Sequence, residues 1–226
     1  MKNILLTRPH KDSYELATLL EKDEFNTFIE PLFSVKKIAI NQKADAKTSA
    51  VIITSANACD AVIDFGFNKN IKIFSVGKKT AQKLIDANFT NIVTSPRNSA
   101  ESLKNLIARE KHEKILYFHG SVVTLDFSKE LKNVEKILAY ETFPAENFSP
   151  EFLQISQEQS FDQVLLFSQN SAQTFCKLAA KHNLLEYFAT SQILCLSDKI
   201  LACVKKFGFT NSSTFSDFPT LKKFYD

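Results

Sequence analysis

Ala50 to Leu84 reads AVIITSANACDAVIDFGFNKNIKIFSVGKKTAQKL. Two short apolar runs, Val51-Ile52-Ile53 and Ile71 to Val76, each pass through a polar turn into a helical spacing of apolar residues. That is strand, turn and helix, twice over, and it predicts a parallel α/β layer. The same text returns later in altered form. VLLFSQNSAQTF from Val164 echoes VIITSANACDAV from Val51, setting Ser168 with Ser55 and Asn170 with Asn57. QILCLSDKILACVKKFGFTN from Gln192 echoes IKIFSVGKKTAQKLIDANFTN from Ile71, and both end in Phe-Thr-Asn. A second pair also repeats: KNILLTRPHKDSYELATLL from Lys2 aligns with EKILYFHGSVVTLDFSKEL from Glu113. The segments run A-B-A′-B′. Each copy is far longer than the few dozen residues of a solenoid repeat, so the pattern is one duplication.

Composition narrows the class. The chain has 226 residues, room for two modest domains, and is 44% hydrophobic, enough for packed cores. Twenty-one Phe and no Trp, with abundant Lys and Asn, read as coding bias rather than chemistry. The net charge is only +3 and the basic residues are scattered, so no nucleic-acid footprint stands out. Cys59, Cys176, Cys195 and Cys203 sit inside apolar patterns with no C-x-x-C pair. They read as buried thiols of a reducing compartment rather than as disulfides or metal ligands. A strand starting at Asn3 with no leader ahead of it, and no apolar run near the roughly 20 residues of a membrane helix, predict a cytoplasmic protein.

Along the chain, Asn3 to Leu6 is a predicted strand. A helix capped by Asp12 or Ser13 follows, with Tyr14, Leu16, Ala17, Leu19 and Leu20 as its apolar face. Asn26 to Glu30 is the next strand; Leu32 to Ile40 stays extended, and Asn41 to Ser49 is polar. Segment B has strands at Ala50 to Thr54, Ile71 to Ser75 and Asn91 to Val93, and helices from about Ala56, Lys78 and Ser99. Segment A′ gives a strand at Lys114 to Phe118, a helix from about Val123 to Leu131 and an extended run from Val134 to Phe143. Ser149-Pro150 is a helix start, Ser as cap and Pro at the first position. Segment B′ supplies strands at Gln163 to Phe167 and Ile193 to Leu196, with helices near Gln169, Leu184, Asp198 and Asp217.

Strands that run into helices put small polar turns and helix N-termini at one sheet edge, where open α/β sheets bind ligands and where backbone N–H groups favour anions. Thr54, Ser55 and Asn57 sit at such an edge, as do Ser168 and Asn170. Plain helix capping accounts for the same residues. Gly77, Lys78 and Thr80 form a Gly-led helix start, without the glycine and lysine spacing of a P-loop. Arg8, at the end of the first strand, either holds a carboxylate or covers a helix end. His119 and Gly120 end another strand, and a partly exposed turn histidine is the plainer account of His119. No histidines stand at metal-ligand spacing, and no nucleophile pairs with one, so the expected metal set is none. Tyr140 lies late in the second extended run, where β-propensity alone explains a tyrosine. The reading is two α/β lobes offering helix starts to a multiply anionic small ligand.

In order, LLTRP at Leu5, IEPLFSVKKI at Ile29, IITSANA at Ile52, SVGKKTAQKL at Ser75, SAESLKNLI at Ser99, ILYFHG at Ile115, ILAYETFP at Ile137 and FSQNSAQTF at Phe167 resemble the uroporphyrinogen-III synthase family over nearly the whole chain. The resemblance implies two similar flavodoxin-like parallel-sheet domains, a two-stranded hinge and a cleft between them. It pairs A with B′ and B with A′: residues 1–32 with 144–226, residues 41–133 as the second domain, and 33–40 with 134–143 as the linker. It implies a lyase of tetrapyrrole (haem) biosynthesis, a monomer without cofactor. Such an enzyme cyclises hydroxymethylbilane by dehydration, with inversion of ring D, to uroporphyrinogen III. Its substrate would pass from hydroxymethylbilane synthase, with no nucleic acid or membrane involved. Tyr140 is then the residue expected to help the hydroxyl leave, and Arg8, Thr54, Ser55, Asn57, Gly77, Lys78, Thr80, His119, Gly120, Ser168 and Asn170 are expected to bind substrate. Ser197-Asp198-Lys199-Ile200-Leu201 departs from the family's Gly-x-x-Thr-Ala helix start. The alternative it motivates is a two-domain regulator that binds small anions without catalysis.

Overall fold

The computed structural model describes residues 1–21 and 25–215. In chain order the elements are β1 (Asn3–Leu6), α1 (His10–Glu21), β2 (Asn26–Ile29), β3 (Phe33–Lys37) and β4 (Thr48–Ile53). A 3-10 turn (Ala56–Ala58) then leads into α2 (Cys59–Asp64), β5 (Lys72–Ser75), α3 (Lys78–Asp86), β6 (Ile92–Thr94) and α4 (Ala100–Ile107). They are followed by β7 (Lys114–Gly120), α5 (Phe127–Glu130), β8 (Val134–Pro144), α6 (Pro150–Glu158), β9 (Gln163–Leu166) and α7 (Gln169–Lys181). A second 3-10 turn (Tyr187–Ala189), β10 (Gln192–Cys195), α8 (Asp198–Lys206) and β11 (Ser212–Thr214) complete the described chain.

The chain divides into two compact units. Unit 1 is Met1–Ser34 with the chain from Phe143 onward, and unit 2 is Val35–Thr142. In unit 1 the sheet runs β11-β10-β9-β1-β2, and every pairing is parallel. In unit 2 it runs β3-β8-β7-β4-β5-β6. Taken from β8, the order β8-β7-β4-β5-β6 repeats β2-β1-β9-β10-β11, with the two halves in swapped chain order. Both are the doubly wound arrangement whose connections reverse direction beside the first strand. That reversal falls between β1 and β9 in unit 1 and between β4 and β7 in unit 2. Within unit 1 the Ala145 N–H donates to the Leu32 carbonyl at 2.9 Å, and within unit 2 the Ile38 N–H donates to the Ala139 carbonyl at 3.0 Å. The opposite progress of the two numberings makes β3 and β8 antiparallel neighbours.

Both sheets are covered on both faces, which is why their central strands are continuously apolar. Leu5, Val164, Leu166 and Ile193 pack with Phe148, Phe152, Phe161, Phe175 and Phe188 on one face of unit 1. Ile4, Leu6, Leu165 and Leu194 fill the other with Ala17 and Leu20. In unit 2, Val51, Ile53, Leu116 and Phe118 face one core, and Ala50, Ile52, Ile115 and Tyr117 face the other. The cysteines are free and buried. Burial pushes Cys59 up to about 11 and Cys176 and Cys195 up to about 12, so these thiols are inert core residues.

Several local expectations need correcting. α1 begins at His10, so Asp12 lies in its first turn and neither Asp12 nor Ser13 is its cap. The Ser13 hydroxyl instead donates to the Arg8 carbonyl at 2.8 Å, from a fully buried position. Tyr14 and Leu19 are exposed, and the buried stripe is Ser13, Ala17 and Leu20 at helical spacing. β4 starts at Thr48, inside the stretch read as a polar loop. The helix expected from Val123 is only α5, because Asp126 accepts from the Ser128 N–H and starts it there. The helix expected near Leu184 is a 3-10 turn at Tyr187–Ala189. α8 begins at Asp198, where a helix was expected, after a Ser197 that makes no side-chain cap. The helix expected near Asp217 lies outside the described residues. β11 is an unforeseen strand made of Ser and Thr. By contrast Ser149 caps α6 through the Phe152 N–H, with Pro150 first in the helix as expected.

At the base of the unit 2 sheet, His112 stands edge-on to Phe74 with centroids 5.4 Å apart. Its Nε2 is buried and has no hydrogen-bond partner among the described residues. Burial lowers its pKa from 6.5, against the opposing pull of Glu110 and with a smaller lowering from Lys72. The folded state therefore prefers the neutral ring. That contribution is complete above the unfolded value and is lost as pH falls below it. Unit 2 should melt at lower temperature as pH is taken from about 7 to about 5, and His112→Phe should flatten that dependence. Calorimetry of both proteins across the range checks it; identical slopes refute it.

Candidate functional site

The carboxyl ends of the parallel strands gather the sequence-selected residues by unit. In unit 2, Thr54, Ser55 and Asn57 follow β4, Gly77 to Thr80 follow β5, and His119 and Gly120 end β7. In unit 1, Arg8 follows β1, and Ser168 and Asn170 follow β9. Thr54 and His119-Gly120 flank the reversal between β4 and β7, and Arg8 and Ser168 flank the one between β1 and β9.

Much of this edge is satisfied locally. The Ser55 hydroxyl accepts from the Asn57 N–H at 3.3 Å, capping a single 3-10 turn. The Ser168 hydroxyl accepts from the Ser171 N–H at 3.0 Å and meets the Ser171 hydroxyl at 2.8 Å. Capping thus describes both serines. Exposed Asn57 lines a cavity of about 960 Å³ in unit 2, together with Lys37, Ile40, Asp60 and Phe65. Arg8 pairs with Asp12 at 3.1 Å, and its guanidinium carbon lies 4.9 Å from the centre of the Phe167 ring. It holds a carboxylate of its own chain, one turn into α1.

α3 differs. Gly77 precedes it in an extended conformation and offers no side-chain cap. The Ser75 hydroxyl donates to the Gly77 carbonyl at 3.2 Å, fixing the turn from below. Lys78 and Lys79 are exposed, so this helix start combines backbone N–H groups with cations. Thr80 is only 4% exposed, and its carbonyl accepts from the Cys59 thiol at 3.7 Å. Lys78 is the exposed cation beside the helix-start N–H groups. α8, the repeat's other copy, also lacks a side-chain cap but carries Asp198 in the first turn, which opposes an anion.

Aromatic residues complete the unit 2 edge. The half-buried His119 ring holds the Gly120 carbonyl through Nδ1 at 2.7 Å and tilts against Tyr117 at 5.2 Å. A carbonyl only accepts, so Nδ1 is the donor in this contact. Tyr117 is buried; burial raises its pKa, opposed by a hydrogen bond with the Thr54 hydroxyl. Tyr140, 8% exposed, lies beside β7 and opposite Gly120 in the strand register. Tyr117 and the register around Tyr140 were missed from sequence; a glycine within a strand, the usual mark of a close approach, was the available signal. No cluster of three or more His, Cys, Asp or Glu able to hold a metal occurs among the described residues, and no helix among them is long and apolar enough to cross a membrane.

A family model described as uroporphyrinogen-III synthase HemD matches residues 14–222. An uncharacterized protein of Rickettsia prowazekii (strain Madrid E) is 26% identical, over 92% of this chain and 91% of that one. Among solved structures, the uroporphyrinogen-III synthetase of Helicobacter pylori 26695 has a TM-score of 0.65 at 13% identity, covering 100% of this chain and 98% of its own. A mutant uroporphyrinogen III synthase of the extremely thermophilic bacterium Thermus thermophilus has a TM-score of 0.59, also at 13% identity, with coverage of 100% and 98%. At these identities the structural likeness is one of fold.

Proposed function

The chain belongs to the uroporphyrinogen-III synthase family, and from that premise we propose that it performs the cyclising dehydration of hydroxymethylbilane with inversion of ring D. The observation that carries the reading is Tyr140, a phenol at the carboxyl edge of the unit 2 sheet, opposite Gly120 at the end of β7. The substrate bears eight carboxylates. In unit 2 the α3 helix-start N–H groups, Lys78 and the exposed Asn57 are donors of the kind such a ligand needs.

The chemistry asks for little more than positioning and one proton. The pyrrole nitrogen drives the hydroxyl away, and the Tyr140 O–H donates to the departing oxygen, which leaves as water. The resulting azafulvene is attacked to give a spiro intermediate, which fragments and recloses with ring D inverted. The proton lost from carbon on closure restores the phenol, so the reaction balances as bilane to macrocycle plus water. Because the bilane also closes unaided to the type I isomer, the protein's work is to hold one folded shape of the chain.

Freshly prepared hydroxymethylbilane, incubated with the protein and resolved into isomers, should yield type III. Type I alone, at the rate of buffer, would sink the reading in favour of an anion-binding regulator. Tyr140→Phe should slow type III formation by roughly ten- to a hundredfold while leaving the melting temperature unchanged. A loss of turnover that merely tracks a loss of stability would make Tyr140 a core residue only.

A further inference from the structure

We infer that Gly120 is a positioning residue whose missing side chain is the seat of the Tyr140 ring. The β7–β8 register pairs His119 with Leu138 and then Gly120 with Tyr140, skipping one residue of β8. Successive side chains of a strand alternate faces, so a one-residue slip changes which face a side chain joins. Here it places Ile137, Ala139 and Tyr140 in the same core as Leu116 and Phe118 of β7. Without the extra residue, Tyr140 would share the face of Leu138.

The bulge turns the ring onto β7, and only glycine leaves room for it there. A Cβ on Gly120 would lie 2.4 Å from the Tyr140 Cζ, 2.6 Å from Cε2 and 2.7 Å from the phenol oxygen. The backbone on either side is tied. The Tyr140 carbonyl accepts from the Ser121 N–H at 3.0 Å, and the Ala139 carbonyl from the Ile38 N–H at 3.0 Å. The ring tip is the free end of a side chain, so the ring is the part that yields to an added methyl. Gly120 thereby acts through Tyr140, and this role rests on the function proposed above for that phenol.

The test reads ring position and turnover separately. Tyrosines labelled with carbon-13 at Cζ report the ring without substrate, and the Tyr140 resonance is the one absent from Tyr140→Phe. Gly120→Ala should move that resonance and leave those of the other tyrosines in place. It should slow type III formation ten- to a hundredfold, chiefly in kcat rather than KM. In a Tyr140→Ala background, Gly120→Ala should change turnover by less than about twofold. An unmoved resonance overturns the proposal. So does a moved resonance with full activity in a protein whose Tyr140→Phe variant is slow. If Tyr140→Phe is as active as the parent, the reading of Tyr140 fails, and with it the catalytic purpose of the seat. If the parent makes no type III, the proposed function fails, while the resonance still decides whether Gly120 sets the ring. Should Gly120→Ala alone not fold, recovery of folding in Gly120→Ala/Tyr140→Ala supports the seat, and its failure refutes it.

Discussion

A polypeptide of residues 35–142 should unfold in urea with one cooperative transition, whereas residues 1–109 should show none. The contrast follows from which strands lie beside which. Residues 35–142 hold β4 between β5 and β7, with β6 and most of β8 alongside, and include both unit 2 cores. Residues 1–109 keep β1 without β9, and β4 without β7. Each would leave the central strand of a sheet with an open edge and half its apolar partners gone. Leu5 and Leu32 lose Phe148, Phe152, Phe161, Phe175 and Phe188 together. Circular dichroism against urea distinguishes the fragments, and a cooperative transition in residues 1–109 would contradict the strand pairing.

Glu30→Ala should lower the stability of unit 1 by about 3 kcal/mol, the scale of two hydrogen bonds to a charged acceptor. Glu30 directly follows β2, is 4% exposed, and accepts from Ser149 twice, from its N–H at 2.8 Å and its hydroxyl at 2.7 Å. The same Ser149 oxygen accepts from the Phe152 N–H at 3.1 Å, so the carboxylate holds the cap that starts α6. Its negative charge also lies at the favourable end of that helix. These groups are 119 residues apart in sequence and join the two pieces of unit 1. Glu30→Gln retains one acceptor oxygen and should cost about half as much. Calorimetry of the full chain reads both; a Glu30→Ala shift below about 0.5 kcal/mol would make the contact incidental.

Glu30 also shows why parts of the molecule were illegible in sequence. The central strands of both units were legible because unbroken apolar runs closed by small polar residues have few other uses. The starts of α3, α4, α6 and α7 were legible because Gly77, Ser99, Ser149 and Ser168 punctuate them locally. A buried glutamate hydrogen-bonded across 119 residues carries no local mark. Nor does the strand at Ser212–Thr214, which exists because β10 offers it an edge. The apolar spacing of Val123 and Leu125 looked helical, but those side chains serve the core from a loop. At the site, small polar residues located the sheet edge correctly in each unit. Whether a residue there is exposed, as Ser168 is, or buried, as Thr80 is, depends on packing that the sequence does not spell out. The position of Tyr140 depends on a skipped residue in the β7–β8 register, and strand periodicity alone cannot reveal it.

The pairing of β1 with β9 also fixes a timetable for synthesis. At about 5–20 residues per second, unit 2 is fully emerged while unit 1 still lacks the middle of its sheet. Asn3 waits for Asp162, 159 residues later, roughly 10–30 s of translation. Through that interval Ile4, Leu5 and Leu6, fully buried in the finished protein, have no partner on their β9 side. The nascent chain carries an unpaired, sticky β1 while unit 2 folds, and β9, made later, is what releases β1 from that exposure. Chaperone demand during biosynthesis should therefore concentrate on the first thirty or so residues rather than on the larger mass that follows.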